Sequence, residues 1–452
     1  MTMTSKFDLI IIGSGSAATT VAFKAIKSGK KVAVIDQKPT GGTCALRGCD
    51  PKKILVGVTD ALEYARKLQG HGISKLSGQI GWDELMEFKR SFTESMSLRI
   101  EESLRKNSIE VVHGRAKFMG PETLEVEGKT FEASRFLIAS GVKAATLNFP
   151  GSDLLIDNEG FLSMPTLPKK LVFVGGGYIS VEFASIARKA GSEVTIIQHS
   201  GRILSNFDRE MADILTNLLR ESGIEVSVNT SVNEVRKVDG RFEIRLTREG
   251  KDKVIYADAV VHGAGREFDS EMGLEAANIK WSRTGVEVND SMQSVSNPRI
   301  YAAGDSADTP GPKLTPVAVM EGNIAAENLL NGTSLKADYN GIPTTVFSTP
   351  PLAMVGITEE QALKKGLKIN VKKGDMTSWY NSRRRMIPKS FYKVILDGDS
   401  KKVLGAHILG ENSEEVINIF AMAIRLEINV DTLLSMPFTY PSDTNDLKYM
   451  IG

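Results

Sequence analysis

Apolar residues occur in short runs that end at glycines, and this pattern appears twice along the chain. Residues 7–12 form a mostly apolar run, typical of a strand that is buried on both faces. A glycine-rich turn, a helical stretch to about residue 28 and a second strand at 31–36 follow it. The same order recurs 162 residues later, because the two turns begin at positions 13 and 175. We therefore predict two strand–turn–helix–strand units, the second with strands at 171–174 and 194–197.

The pattern changes between and after these units. Residues 83–107 have apolar positions at helical spacing and predict one long helix. Short alternating strands are predicted at 110–138 and an antiparallel meander at 224–259. A strand at 299–305 ends in a turn that carries an acidic residue. From about residue 338 onward there is no dinucleotide turn, which indicates a third domain.

These elements predict an α/β fold with two Rossmann-like dinucleotide-binding domains and a C-terminal α+β domain. The first dinucleotide-binding domain is predicted to be discontinuous, at 1–145 and 268–336, and the second is 146–267. The C-terminal domain is 337–452. A chain of 452 residues has the length for several domains.

Both glycine-rich turns have the spacing that binds the pyrophosphate of a dinucleotide. The first contains Gly13 and Gly15, and Asp36 lies 23 positions after Gly13, where a carboxylate can accept a hydrogen bond from a ribose hydroxyl. The second begins with Gly175 and Gly177. Glycines let backbone N–H groups and a helix N-terminus approach phosphate closely. Two such sites imply a flavin dinucleotide and a nicotinamide nucleotide.

The two cysteines of the chain, Cys44 and Cys49, lie five positions apart in a short loop directly after the first unit. A structural disulfide closing so short a loop would remove little unfolded-state entropy. A zinc site needs three or four ligands, and no histidine stands near. Pro51 suits the first turn of a helix that starts at Cys49. We therefore predict a redox-active dithiol that works with a bound flavin, the alternative being a structural or unreactive pair.

Composition limits the class of partner. The chain has 56 basic and 55 acidic residues, with 41% hydrophobic and 25% charged residues. This balance predicts neither nucleic-acid binding nor a polybasic membrane surface. No apolar run approaches the roughly 18 residues of a membrane span. Residues 1–6 lead directly into the first strand, so we expect no signal peptide and a cytoplasmic location.

These motifs together resemble the pyridine nucleotide–disulfide oxidoreductases, the flavoprotein group of dihydrolipoamide dehydrogenase, glutathione reductase and mercuric reductase. The resemblance covers nearly the whole chain. It implies that the discontinuous domain at 1–145 and 268–336 binds FAD, that 146–267 binds NAD(P)H and that 337–452 is an α+β dimerisation domain. It rests on the first glycine turn and on the stretches at 41–53, 139–141, 175–182, 304–305, 314–318 and 405–410. The chain departs from the group at Asp50, where many members have a small or apolar residue.

The resemblance implies roles for the residues around the dithiol. Cys49 would face the flavin, at a helix N-terminus that stabilises a thiolate, and Cys44 would meet the substrate. Lys52 would lie near the flavin and pair with Glu182, the alternative being a surface ion pair. Positions assigned to cofactor binding are Gly13, Gly15, Ser16, Ala17, Asp36, Gly42, Thr43, Lys53, Ala116, Ser140, Gly141, Gly304, Asp305, Thr315, Gly175, Gly177, Tyr178, Ile179, Gln198, His199, Arg202 and Gly265.

Among these, Asp36 would bind the adenosine ribose and Asp305 the ribitol. Tyr178 would cover the flavin until nicotinamide arrives, the alternative being a packed aromatic ring. Gln198 stands 23 positions after Gly175, where an NADH-binding enzyme is expected to have an acid.

His199 and Arg202 follow Gln198 and could meet a 2′-phosphate. We therefore predict NADPH, with NADH as the alternative. The stretch 199–202 could instead be a polar surface turn.

The C-terminal segment departs from the group at the point that decides the substrate. Disulfide reductases of this group carry His-Pro-x-x-x-Glu, and its imidazole protonates the departing thiol across the dimer. Here Tyr440 and Asn445 stand at those two positions, and all five histidines (71, 113, 199, 262 and 407) come earlier. General acid catalysis is typically worth about 10²–10⁴ in rate. This argues against rapid turnover of lipoamide or glutathione disulfide.

The resemblance leaves three classes of electron acceptor open. Mercuric reductases also have tyrosine at this position, but they carry an additional C-terminal cysteine pair that is missing here. Bacterial hypothiocyanous acid reductases resemble this chain in having one dithiol and neither the His–Glu pair nor further cysteines. We therefore predict an NAD(P)H- and FAD-dependent enzyme that passes electrons through Cys44 and Cys49 to a small oxidant, a metal ion or a disulfide.

The sequence also bears on two other functions and on the oligomeric state. A subunit of a large acyltransferase complex would need a docking segment, which the sequence lacks. A non-enzymatic flavin-binding protein would not need both cysteines. The third domain resembles the dimerisation domain of the group and implies a two-fold homodimer, in which Tyr440 would line the active site of the partner subunit. Residues 383–385, three arginines, predict a solvated face or, alternatively, an attraction for anionic substrate.

Overall fold

The computed structural model describes residues 5–452, and residues 1–4 of the predicted N-terminal segment lie outside this range. The α-helices of the described residues are α1 (Ser16–Lys27), α2 (Gly42–Arg47), α3 (Cys49–Lys67), α4 (Trp82–Thr93), α5 (Met96–Lys106), α6 (Asn158–Leu162), α7 (Tyr178–Lys189), α8 (Arg209–Glu221), α9 (Thr315–Asn331), α10 (Glu359–Lys364), α11 (Tyr380–Arg384), α12 (Ser413–Arg425), α13 (Val430–Ser435) and α14 (Leu447–Ile451).

The strands of the same residues are β1 (Ser5–Ile12), β2 (Val32–Asp36), β3 (Glu110–His113), β4 (Lys117–Phe118), β5 (Thr123–Val126), β6 (Lys129–Ile138), β7 (Val142–Ala144), β8 (Lys170–Val174), β9 (Glu193–Ile197), β10 (Ile224–Ser227), β11 (Thr230–Val238), β12 (Arg241–Arg248), β13 (Lys251–Ala257), β14 (Ala259–His262), β15 (Arg266–Phe268), β16 (Trp281–Ser282), β17 (Gly285–Glu287), β18 (Ile300–Ala302), β19 (Ala307–Asp308), β20 (Thr344–Val346), β21 (Leu352–Gly356), β22 (Ile369–Asp375), β23 (Phe391–Asp397) and β24 (Val403–Leu409). Short 3₁₀ helices occupy Ser152–Leu154, Leu274–Ala277 and Gly304–Ser306.

The chain forms two compact units. The first contains the residues up to Lys52 together with Glu87–Thr146 and Arg266–Tyr339, and the second contains Lys53–Met86, Leu147–Gly265 and Asn340–Gly452. The second unit includes both a dinucleotide-type sheet and the C-terminal sheet. The three predicted domain boundaries therefore stay a prediction.

The first unit is built on a sheet with the strand order β3-β2-β1-β6-β5-β4, and β18 also pairs with β6. Strand β1 runs parallel to both β2 and β6. Its side chains enter two cores: Ile10 and Ile12 pack with Phe136 on one face, and Leu9 and Ile11 pack with the buried face of α1 on the other. Because both faces are covered, the apolar run is continuous rather than alternating.

The second unit contains a parallel sheet of order β10-β9-β8-β14 and an antiparallel sheet of order β11-β12-β13. Its C-terminal part is an antiparallel sheet of order β20-β21-β24-β23-β22, and α12 packs on this sheet through Val416, Ile417 and Phe420.

The fold class predicted from the sequence is confirmed, but three local predictions are wrong. Residues 83–107 form two helices, α4 and α5, because the chain turns at residues 94–95. Strand β10 belongs to the parallel sheet, where it pairs with β9, so the meander is limited to β11–β13. The dithiol segment is not a loop, since Cys44 lies in α2 and Cys49 begins α3. No helix within residues 5–452 is both long and apolar enough to cross a membrane.

Candidate active site

The first glycine turn leaves backbone groups available to a ligand. Gly13 has φ = 103°, and a Cβ there would lie 2.2 Å from the carbonyl oxygen of Ala139. Gly15 caps α1 without a side-chain hydrogen bond, so the N–H groups of the first helical turn, which begins with Ser16 and Ala17, have no side-chain cap. Free N–H groups at a helix N-terminus favour an anion such as a pyrophosphate.

Ser14, which the sequence analysis did not single out, connects the turn to Asp36. Its hydroxyl donates to Asp36 Oδ2 at 2.6 Å and accepts from the backbone N–H of Gly41 at 2.9 Å. The other oxygen of Asp36, Oδ1, accepts from the N–H of Lys38 at 2.9 Å. Ser14 is buried, so this bridge fixes the end of β2 and the start of the dithiol segment to the same turn.

The dithiol segment begins directly against the glycine turn. A Cβ on Gly42 would lie 2.5 Å from Gly15 Cα, so only glycine allows this approach. Gly42 and Thr43 open α2, which carries Cys44, and α3 follows with Cys49 as its first residue. The predicted helix start at Cys49 is confirmed.

The two sulfur atoms have different polar neighbours. Cys44 is half-buried and Cys49 is exposed. The Cys44 thiol donates to Asp50 Oδ1 at 3.7 Å, and Cys49 Sγ lies 3.8 Å from the hydroxyl of Thr315, the first residue of α9. A hydrogen bond with Cys49, followed by burial, raises the pKa of the Cys44 thiol, and the charge of Asp50 adds to the rise.

The turn after β18 is held by a buried glutamate that the sequence analysis missed. Glu321 accepts from the N–H of Gly304 at 2.7 Å, and from the hydroxyls of Thr309 and Tyr339 at 2.8 Å each. Burial raises the pKa of the Glu321 carboxyl. Its signal in the sequence is an acid followed by glycine, six positions into the helix that begins at Thr315.

Asp305 lies next to this glutamate-bound turn and is partly exposed. Its carboxylate pairs with Arg266 at 3.4 Å, and Arg266 also donates to the carbonyl of Val142 at 3.0 Å. Ser140 is exposed and Gly141 has φ = 73°, while Ala116 is buried. These residues all belong to the first unit.

Lys53, Glu182 and Tyr178 lie in the second unit. The Lys53 ammonium is 3.4 Å from Glu414 and 3.8 Å from the centre of the Phe347 ring. Glu182 is buried and accepts from the N–H of Phe347 at 2.9 Å. Tyr178 donates to or accepts from Thr344 at 2.5 Å, and burial raises its pKa to about 12.

Two further predictions concern Lys52 of the first unit and Ile179 of the second. Lys52 belongs to the first turn of α3, where its N–H donates to Gly48, and its pairing with Glu182 stays a prediction. Ile179 is half-buried in the first turn of α7, next to Tyr178.

The second glycine turn is closed by a glutamine. Gly175 has φ = 101°, and a Cβ there would lie 2.4 Å from the carbonyl oxygen of Gly263. Gln198 Oε1 accepts from the N–H of Gly176 at 2.7 Å, and its Nε2 donates to Ser200 at 2.6 Å. Gln198 therefore supports the turn that begins α7, instead of presenting a carboxylate to a ribose.

Two candidates for contact with a 2′-phosphate follow Gln198. His199 is exposed. Arg202 Nη2 donates to the carbonyl of Ser205 at 2.7 Å, whereas its Nη1 is buried and has no hydrogen-bond partner among the described residues. Gly177 precedes α7, and Gly265, with φ = 109°, has open space on the side where a Cβ would lie.

The C-terminal segment presents Tyr440 to solvent, with 72% of the residue exposed. Asn445 is buried, and its Nδ2 has no hydrogen-bond partner among the described residues. Arg385, which was predicted to lie on a solvated face, is only 12% exposed and forms an ion pair with Asp443 at 2.8 Å. Arg383 and Arg384 are exposed as predicted.

Comparisons with known proteins identify the family. The family model described as pyridine nucleotide-disulphide oxidoreductase matches residues 7–322, and the model of its dimerisation domain matches residues 342–451. Mercuric reductase of Bacillus cereus is 30% identical over 449 residues, which cover 98% of this chain and 71% of that protein. Dihydrolipoyl dehydrogenase of Geobacillus stearothermophilus is 30% identical over 96% of this chain and 93% of its own length.

A solved structure extends the comparison to three dimensions. The Cu(II) complex of the HOCl-induced flavoprotein disulfide reductase RclA from Escherichia coli matches with a TM-score of 0.89 and 27% identity, over 99% of both chains. The chain therefore belongs to the pyridine nucleotide-disulphide oxidoreductase family, and it is an NAD(P)H-dependent, flavin-dependent disulfide oxidoreductase with a C-terminal dimerisation domain.

Proposed function

We propose that this enzyme uses NADPH, FAD and the Cys44–Cys49 dithiol to reduce a small electrophilic oxidant of the hypothiocyanous acid type. The observation that carries the proposal is the C-terminal segment, where Tyr440 and Asn445 replace the His–Glu pair of the group. A large thiol leaving group needs a proton from that histidine. A small oxidant expels a hydroxide or another small group, and its reduction depends less on a proton from the histidine.

The first unit fits FAD. The uncapped N-terminus of α1, the close approach of Gly42 to Gly15 and the carboxylate of Asp36 at the end of β2 form the pattern of a dinucleotide cradle. Asp305 at the Gly304 turn would bind the ribitol. When bound, FAD carries an electron pair from the nicotinamide nucleotide to the dithiol.

The dithiol then divides the chemistry between its two sulfurs. Cys44 attacks the oxidant and forms a covalent adduct with it. Cys49 then attacks the Cys44 sulfur, which forms the disulfide and releases the reduced product. Cys49 is suited to the second role because it begins α3 and lies beside the first residue of α9. Helix N-termini stabilise a thiolate.

NADPH is favoured over NADH by the second turn. Gln198 is engaged with Gly176 and Ser200, and it has no carboxylate for a ribose 2′-hydroxyl. Arg202, four positions further, has a buried guanidinium nitrogen without a partner among the described residues. A 2′-phosphate would supply an acceptor for it.

We further propose that the enzyme is a homodimer. The support is the dimerisation-domain match at residues 342–451. In the dimer, the exposed Tyr440 would line the active site of the partner subunit.

A soft metal ion is the second candidate substrate. It is supported by the similarity to mercuric reductases and by the similarity to RclA, whose solved structure is a Cu(II) complex. However, this chain has no cysteine besides Cys44 and Cys49 to deliver a metal ion.

The test is an anaerobic stopped-flow comparison. The FAD-loaded enzyme is reduced with one equivalent of NADPH and mixed separately with hypothiocyanous acid, glutathione disulfide, Hg²⁺ or Cu²⁺, while flavin absorbance reports reoxidation. We expect hypothiocyanous acid to react at least about tenfold faster than the disulfide. Equal or faster reaction with the disulfide would refute the proposal, and preferential reaction with either metal would transfer it to the second candidate.

Two cysteine variants test whether the reduced flavin reacts with the oxidant directly, without the dithiol. Cys44→Ser should lose the fast reaction and retain reduction by NADPH, because the second thiol is not needed to accept a hydride at the flavin. Cys49→Ser should allow Cys44 to attack one molecule of oxidant. The Cys44 thiol should then not be regenerated, because no second cysteine is present to form the disulfide.

A further inference from the structure

Asp50 lies where it can exchange a proton with the substrate-facing cysteine. It is in the first turn of α3, directly after Cys49, and its Oδ1 accepts a hydrogen bond from the Cys44 thiol at 3.7 Å. The contact is within hydrogen-bond range for sulfur. Asp50 is also the position at which the dithiol motif departs from the pattern of the group.

The neighbours of the two sulfurs place the proton on Cys44. Its pKa is raised by the hydrogen bond with Cys49, by burial and by the charge of Asp50, while the Thr315 hydroxyl opposes the rise. Cys49, in contrast, faces the Thr315 hydroxyl at 3.8 Å and begins a helix. The surroundings of Cys44 therefore favour its thiol form, while the start of a helix at Cys49 favours negative charge there.

A protonated Cys44 needs a base when it attacks. The C-terminal histidine, which protonates the departing thiol in the disulfide reductases of this group, is replaced by Tyr440 in this chain. Asp50 is the carboxylate that the structure records in contact with Cys44 Sγ.

We propose that Asp50 is a catalytic acid–base residue that takes the proton of Cys44 during attack and delivers it to the leaving group. This inference rests on the proposed function, because it describes the reaction of the same dithiol with a small oxidant. Asp50 would replace the missing histidine from within the same subunit.

The step balances for hypothiocyanous acid, HO–SCN. The Cys44 sulfur forms a bond to the thiocyanate sulfur as the S–H proton moves to Asp50, and the HO–S bond breaks. Asp50 returns the proton to the departing hydroxide, giving water. The Cys49 thiolate then attacks Cys44 sulfur and expels thiocyanate, so that the dithiol is oxidised by two electrons and the oxidant is reduced by two.

A simpler role for Asp50 is to stabilise the N-terminus of α3 by its charge. Asp83 provides a matched control, because it is an exposed acid in the first turn of α4. A general effect of a first-turn carboxylate should appear in Asp83→Asn as much as in Asp50→Asn. A proton-transfer role should appear in Asp50→Asn alone and be at least partly restored by Asp50→Glu.

The first experiment measures Cys44 itself and needs no oxidant. Reduced holoenzyme is alkylated with iodoacetamide between pH 6 and 9, and mass spectrometry quantifies the Cys44 and Cys49 peptides. Removing a charge 3.7 Å from Cys44 Sγ should speed Cys44 alkylation about fivefold at a given pH, by Coulomb's law in a water-like medium. Asp83→Asn should leave it unchanged.

The second experiment measures the reaction with hypothiocyanous acid as a function of pH. The ratio of the Asp50→Asn rate constant to that of the unmodified enzyme cancels any ionisation of the oxidant. We expect this ratio to fall by up to about tenfold for each unit that the pH is lowered, because the variant can react only through its thiolate. Asp50→Glu should remove most of this slope.

The outcomes separate this inference from the proposed function. A pH-independent ratio near one overturns the role of Asp50, even if alkylation of Cys44 changes. If hypothiocyanous acid does not oxidise the reduced enzyme, the proposed function fails. Independently, an unchanged rate of Cys44 alkylation in Asp50→Asn would overturn the coupling between Asp50 and Cys44.

Discussion

Arg385 and Asp443 form an ion pair in which Nη1 lies 2.8 Å from Oδ2, and their side chains are only 12% and 20% exposed. Asn412 donates to the same carboxylate oxygen at 2.7 Å. Arg385 directly follows α11 and Asn412 directly precedes α12, so these contacts hold the ends of both helices against the segment that carries Tyr440. This segment is therefore anchored three residues beyond its exposed tyrosine.

We predict that Arg385→Ala lowers the free energy of unfolding by about 2 kcal/mol, because it leaves a largely buried carboxylate without its charged partner. Arg385→Lys should retain only part of the lost stability, since lysine lacks the planar guanidinium group that can donate two parallel hydrogen bonds. Urea unfolding of both variants, and of Asp443→Asn with the double variant, measures the coupling. Additive effects of Arg385→Ala and Asp443→Asn would contradict the pairing.

Restoring the His–Glu pair should increase disulfide turnover. We expect the double variant Tyr440→His/Asn445→Glu to reoxidise with glutathione disulfide at least about tenfold faster, because general acid catalysis contributes about 10²–10⁴ in favourable geometry. The rate with hypothiocyanous acid should change by less than about threefold. The measurement is single-turnover reoxidation of the reduced enzyme, and the single variant Tyr440→His is the control for the histidine without its orienting carboxylate.

The nicotinamide preference can be tested at Arg202. Arg202→Ala should lower kcat/KM for NADPH by about tenfold, the size of a lost charged hydrogen bond, and leave NADH nearly unaffected. Arg209→Ala, seven residues further at the start of α8, is the matched control. An equal loss with both nucleotides would mean that Arg202 supports the loop through Ser205 rather than a phosphate.

A buried histidine predicts a loss of stability in acid. His407 is fully buried, and this burial lowers its pKa from 6.5 to about 4. Between these pH values the folded state therefore binds fewer protons than the unfolded state. The contribution of His407 to the free energy of unfolding is fully present above pH 6.5 and is lost as the pH falls to 4. The loss from this group approaches about 3 kcal/mol. Thermal unfolding should show the slope, which His407→Gln should reduce and the exposed control His71→Gln should not.

The sequence predicts the parts of this enzyme that depend on local patterns. Glycine turns, apolar strands and the helix start at Cys49 are properties of short stretches, and the structure has them where the pattern places them. The break between α4 and α5 was missed because the apolar spacing continues across residues 94–95. The helical state of Cys44 was missed because a six-residue helix has too few turns to show a period.

Contacts between distant stretches could not be predicted. The Ser14–Asp36 bridge joins residues 22 positions apart, and Glu321 reaches Gly304 and Tyr339 only after the chain has folded. Arg385 looked like part of a solvated triplet because its partner, Asp443, is 58 positions away. In each case the polar partner is set by tertiary structure, which no local period encodes.

The contact of Gly42 with Gly15 sets limits on how this enzyme can be redesigned. Because a single added methyl group at Gly42 would collide with the backbone of the glycine turn, nucleotide cradle and dithiol cannot be varied separately in a library. Under the proposed function, diversity aimed at a new electron acceptor belongs instead at exposed Tyr440 and at Asp50. The acceptor specificity at Cys44 could then be changed while the nucleotide-binding turn that serves electron transfer to the dithiol stays unaltered.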